Sequence, residues 1–336
     1  MRCYFKIFNI YYAIKSFIYM QIYLLWRREI ELCETSVKFC VASFCVENMD
    51  RKLSFSLNAT VGNVLISSPF LRGEMMPIRP TVARYAVASK NSPQLTDTII
   101  LADRVHAALV SLSNGSSIFT GCDEQGKPLH GNRHAHVFCE SNNGLGKGID
   151  GEITHITIYA PVGFESEDQV ALRDLDRVWG GDNFEIQVIL QGFGQPRDFG
   201  GIDLERSQCP LLARSRAWVS RTPFIPTRHP KVTRAGVPKV DASGLQIGSP
   251  EHDLLRLLVL GGFPAPEAVE SVPCTSLGGR ETPWASFACR RSNGGGRRSA
   301  YGIGYGFRIE FAEPVQGPVA VGYASHFGIG AFTSVV

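Results

Sequence analysis

The stretch LHGNRHAHVFCE, residues 129–140, gathers His130, His134 and His136 beside Arg133, Cys139 and Glu140. If residues 134–139 form a strand, His134 and His136 share a face, because side chains alternate along a strand. Two imidazoles on one face next to an arginine can act as general base and general acid on a phosphodiester. In that chemistry the ribose 2′-hydroxyl attacks the adjacent phosphate, and no metal or other cofactor is required.

The same residues also suit a metal ion. His134, His136 and Glu140 form H-x-H-x3-E, a fragment of the cupin metal motif, and Cys139 could replace Glu140 as ligand. The glycines that flank that motif are out of register here, and no second cupin half follows. A third reading leaves the histidines as structural groups paired with polar neighbours. His155 and Thr157 in ITHITIY form the H-x-T element of two-histidine phosphoesterases, but its required second copy is absent, so a half-buried strand position explains it.

A second set of segments carries the positive charge. In SRTPFIPTRHPKVTR, Arg221, Arg228, His229, Lys231 and Arg234 are interleaved with Pro223, Pro226, Pro230 and Phe224. Prolines stiffen such a loop, the basic groups engage phosphates, and Phe224 is expected to stack on a base. Arg290, Arg291, Arg297 and Arg298 surround the Gly294–Gly296 tip and suggest a basic hairpin for a nucleic-acid backbone. Near the C-terminus Gly322, Gly328 and Gly330 surround His326, where glycines would let the main chain approach a ligand closely.

These groups must be positioned by a folded core, and the composition provides for one. The chain has 336 residues, 44% hydrophobic and 19% charged, enough for about two domains. Residues 97–205 hold 7 basic and 17 acidic groups, residues 206–336 hold 15 and 8, and residues 206–239 hold eight basic groups and no acid. Such a segment attracts polyanions. Nine cysteines without a CxxC pair suggest reduced thiols in the cytoplasm. Residues 4–26 are apolar, but Lys6, Asn9, Lys15 and Gln21 interrupt them, so no membrane span is expected. Residues 1–76 read as a misassigned start or a remnant of another segment.

From residue 80 the apolar pattern predicts strands over 81–88, 134–139, 152–160 and 184–190. One helix is predicted from a Thr96 cap to Leu112, and another from Ser166 to near Trp179. The order β-α-β-β-α-β is that of a ferredoxin-like domain. A less regular second copy has strands over 214–220, 284–290 and 304–312, a helix from Ser249 to Gly261, a helical turn over 319–325 and a final strand. The fold class expected is α+β, as two tandem ferredoxin-like domains over 77–205 and 206–336.

TPFIPTRHPK, GYGFRIEF followed by GPVAVGYASHFGIGAF, and GKPLHGNRHAHVF with DGEITHITIYAPVGF together resemble the CRISPR-associated fused Cas-five/Cas-six family of type I-U (I-G) systems. The resemblance covers roughly residues 80–334 and is to the Cas-six-like part; residues 1–76 do not match the Cas-five-like part. It implies a RAMP fold with a Gly-rich loop at Gly328–Gly330, processing of CRISPR precursor RNA, and partners in repeat RNA and other effector subunits. On that reading His134 or His136 activates the ribose hydroxyl or protonates the leaving oxygen, with His326 or His229 as substitutes. Arg133 or Arg228 would stabilise the phosphate charge. A crRNA-binding subunit that does not cut is the alternative within the family.

Overall fold

The computed structural model describes residues 79–89, 92–129, 131, 133–141, 151–179, 185–200, 209–289 and 303–335, with the short strands Thr60–Val61 and Val64–Leu65. The chain divides into two units, Met1–Met76 and Pro77–Val336. In the first, the two short strands pair antiparallel; other features expected for residues 1–76 fall outside the described residues. Among the described residues no helix is long and apolar enough to cross a membrane.

The second unit is α+β with antiparallel sheets. Its first sheet is built from β1 (Val82–Ala88), β2 (His136–Ser141), β3 (Ile153–Tyr159), β4 (Arg177–Trp179) and β5 (Glu185–Gly194), in the order β2-β3-β1-β5-β4. Helix α1 (Thr98–Leu112) joins β1 to β2, and α2 (Ser166–Asp174) follows β3. Alternation sorts each strand between two faces. Tyr85, Val137, Ile156, Ile158 and Ile186 point to the helices and pack with Leu101, Val105, Leu109 and Leu172. Val82, Phe138 and Tyr159 point the other way and meet Cys209, Leu211, Leu212 and Ala331.

The second sheet contains β6 (Arg214–Ser220), β7 (Ala268–Val272), β10 (Gly306–Gln316) and β11 (Phe332–Ser334), ordered β11-β6-β10-β7. Helix α3 (Pro250–Leu260) links β6 to β7, and the hairpin β8 (Cys274–Leu277)–β9 (Arg280–Pro283) stands apart. Trp218, Leu254, Leu258, Phe307, Ile309 and Phe332 form its core. Setting aside β4 and the β8–β9 hairpin, both sheets place their last strand beside their first, then the third, then the second. Where α2 lies between the third and last of these strands in the first sheet, the second sheet has the glycine-rich segment 317–331. That segment cannot hold a helix: Gly322, Ala324, Gly328 and Gly330 take positive φ, leaving a single 3-10 turn at Ser325–Phe327.

Several elements differ from the pattern-based expectation. Helix α1 starts at Thr98, after a 3-10 turn, Leu95–Asp97, in place of a start at a Thr96 cap, and its last residue, Leu112, is 41% exposed. Helix α2 stops at Asp174, short of the expected end near Trp179, and is capped by a Glu165–Asp168 box. Residues 284–289, the described part of the strand expected over 284–290, are not a strand. Trp284 and Phe287 are both buried at a spacing of three, the period of the 3-10 turn Trp284–Ser286, and Trp284 Nε1 donates to the Val272 carbonyl. The boundary expected at 205/206 lies within 201–208, outside the described residues.

Gly330 is where the turn meets β6. Its φ is +69°, and a Cβ there would overlap the Val321 carbonyl oxygen. Gly330→Ala should therefore cost about 2 kcal/mol or more, combining left-handed strain with a backbone clash. Gly126→Ala, at φ +74° but with open space around it, should cost only the strain, about 1 kcal/mol. Urea midpoints of the two variants check this; equal losses would show that the clash at Gly330 relaxes.

Candidate active site

His134, His136 and His326 come together although 190 residues separate the outer two segments. Strand β2 begins at His136, so His134 lies in its approach, held where Ala135 N–H donates to the Ile118 carbonyl at 2.7 Å. Gly121 makes room for the His134 ring: a Cβ at Gly121 would lie 3.2 Å from it. His326 sits on the 3-10 turn between left-handed Ala324 and Gly328, which swing the turn against β2. The His134 and His326 ring centroids are 3.4 Å apart and those of His136 and His326 3.8 Å, whereas His134 and His136 are 6.3 Å apart. His326 is thus the middle ring of a three-imidazole stack, which His136 continues onto Phe138 at 5.7 Å.

The stack is neutral at neutral pH. His136 is buried, 6% exposed, and its Nδ1 lies 3.3 Å from the Ser325 carbonyl oxygen. A carbonyl only accepts, so Nδ1 carries the hydrogen and Nε2 keeps its lone pair. Burial, with His134 adding to it, lowers the His136 pKa to about 4 against the favourable Ser325 carbonyl. Burial also lowers His134, with His106 contributing. His326 falls well below the ordinary value, first through burial and then through His136 and His134, with the Ala135 carbonyl opposing. Nδ1 of both His134 and His326 is buried with no hydrogen-bond partner among the described residues, a state that costs free energy. His106, which the sequence gave no reason to select, reaches this cluster from α1 and meets Phe327 edge-on at 5.3 Å.

The cupin-like ligand set does not assemble. Imidazole lone pairs lie in the ring plane, and near-parallel stacked planes do not aim them at a common point. Glu140 is committed elsewhere: it accepts from Arg84 Nε and Nη2 at 3.4 and 3.2 Å, from the Cys209 thiol at 3.0 Å and from the Thr157 hydroxyl. Arg84 Nη1 also donates to Gln191 at 2.9 Å, a residue brought there by a bulge between β1 and β5. Gln191 Nε2 in turn lies 3.5 Å from His155 Nε2. Among the described residues no group of three His, Cys, Asp or Glu side chains could hold a metal ion.

The expected RNA-contacting residues fall into different environments. Arg133, Arg228, His229, Lys231 and Arg234 are exposed, the last four on an arm whose turns are closed by the bridges Val232–Pro238 and Val240–Gln246. Arg221 is half-buried; it donates to the Ser276 carbonyl at 3.0 Å and to the Ser141 hydroxyl, tying the β8–β9 hairpin to β2. Phe224 is fully buried, edge-on to Phe307 at 5.8 Å, so its ring is not open to a base. Gly328 and Gly330 are likewise buried. Their N–H groups donate to Ser325 and Pro223 carbonyls, so they shape the turn and present no donors to a ligand. Arg290, Arg291, Arg297, Arg298 and His130 lie outside the described residues.

No protein family, curated protein or solved structure matches this chain.

Proposed function

We propose that the chain is a CRISPR precursor RNA-processing endoribonuclease of the RAMP type, cutting repeat RNA without a metal and serving in a type I-U effector complex in the cytoplasm. The carrying observation is the stack of His134, His326 and His136, in which the glycine-rich segment near the C-terminus delivers an imidazole to the HxH segment. Support for two tandem ferredoxin-like domains comes from the repeated strand order, with the glycine-rich segment standing in for the second helix of the second copy.

His134 is a partly buried end of the stack, and as a neutral imidazole it can take the proton of a ribose 2′-hydroxyl. The 2′-oxygen then bonds to phosphorus, the bond to the 5′-oxygen breaks, and that oxygen is protonated from solvent. Exposed Arg133 precedes this residue and would balance the phosphate charge. The arm carrying Arg228, Lys231 and Arg234 would hold the RNA backbone. Cleavage in EDTA should leave 2′,3′-cyclic phosphate and 5′-hydroxyl ends; 3′-hydroxyl and 5′-phosphate ends would contradict the reaction. The triple variant R228E/K231E/R234E should reduce the slope of log affinity against log salt by about 2, the value for three lost phosphate contacts. An unchanged slope would remove the arm from the interface.

One observation favours the alternative of a crRNA-binding subunit that does not cut. The stack holds its rings neutral, so at neutral pH it supplies a base but no ready imidazolium to protonate the leaving oxygen. Tight binding of repeat RNA without product would select that reading.

A further inference from the structure

His326 lies between two other imidazoles, with ring planes inclined by 20° to His134 and 35° to His136. A proton on any ring places a full charge against the face of its neighbour, in a site too buried for water to screen it well. We infer that the three rings take up protons as one unit, that the first proton goes to His134 at the end of the stack, and that it opposes a second on His326 or His136. The consequence for RNA cleavage rests on the ribonuclease reading: a proton taken from the ribose would stay on His134 and not pass along the stack.

The surroundings reinforce this coupling. The titratable groups that face the stack are His106 from α1 and Tyr159 from β3, the latter 6.3 Å from the His136 ring. Arg133 adjoins His134 in the chain and is exposed. The groups that favour the rings' protonated forms are the Ser325 and Ala135 carbonyls. Interacting sites of this kind titrate in macroscopic steps that belong to the cluster.

The test is a pH titration of the full chain, with histidine ring carbons labelled and read by NMR. Coupled rings should give broadened or stepped curves. His134→Phe keeps an aromatic ring in the stack and removes its proton site, and should raise the His326 and His136 midpoints by about one pH unit. His134→Gln should raise them in the same direction and decides the matter if the first variant does not fold. Independent single-site curves, or His326 and His136 midpoints unmoved by His134→Phe in a folded protein, would overturn the inference. Since no RNA is present, this outcome is separate from success or failure of the ribonuclease reading.

Discussion

His134→Ala should lower the single-turnover rate of repeat-RNA cleavage by 10²- to 10⁴-fold, the usual contribution of a positioned general base, while changing RNA affinity by less than about threefold. His134 is an end of the stack and, like His326, only partly buried, whereas His136 is buried and its Nδ1 is engaged with the Ser325 carbonyl. His136→Ala should therefore act mainly by loosening the stack, and part of its effect should appear as lost stability. The affinity should survive in His134→Ala because the exposed basic groups of the arm lie in a different segment. If His134→Ala cleaves at the wild-type rate, the stack is a structural clasp between the glycine-rich turn and β2.

The largest stability effect is expected at Arg84. Its guanidinium is 7% exposed and faces Glu140, itself 12% exposed, at 3.2 Å. Burial alone would push the Glu140 pKa up; Arg84, together with the Cys209 and Thr157 hydrogen bonds, outweighs it and holds the carboxyl below its ordinary value. Arg84→Leu leaves that carboxylate buried without its cation and should cost about 3–5 kcal/mol at neutral pH. The sign with pH follows from linkage. In the wild type, the Glu140 contribution is present above its unfolded pKa and is lost as pH falls through the lower folded one. In Arg84→Leu the carboxyl pKa is raised, so the variant gains relative stability as the group is protonated. The gap in urea midpoint between the two proteins should be wide at pH 7 and narrow towards about pH 4, near the ordinary carboxylate value. A gap that stayed constant over that range would mean the ion pair is not the source of the loss.

Much of the architecture was legible because local periodicity and burial agree. VARYAVA, ITHITIY and the run from Ser249 through Leu258 to Gly261 formed the elements their patterns imply, and the Ser249 side chain does accept from His252 N–H as a cap. Errors arose where two periods compete. WASFACR has enough apolar residues for a strand, but the spacing of Trp284 and Phe287 suits a turn. TPFIP reads as an open loop because prolines bar regular pairing, yet Phe224 and Ile225 are both buried.

The candidate site was legible only in its parts. His134 and His136 stand out by their density in the chain, and His326 by its glycine neighbours, but nothing local announces that these segments stack. That contact is made by left-handed turns acting at long range. His106 is a single polar residue on a helix, and the Arg84–Glu140 pair joins strands 56 residues apart through a sheet register that composition does not encode.

The most direct test of the central claim is to incubate the full chain in EDTA with labelled CRISPR repeat RNA, alongside the same RNA carrying a single 2′-deoxy nucleotide at the scissile position. Metal-free attack by the ribose hydroxyl predicts cleavage of the all-ribose substrate and none at the substituted position. Cleavage of both substrates, or of neither while the RNA remains bound, would contradict the assignment of the histidine stack as the site of that chemistry.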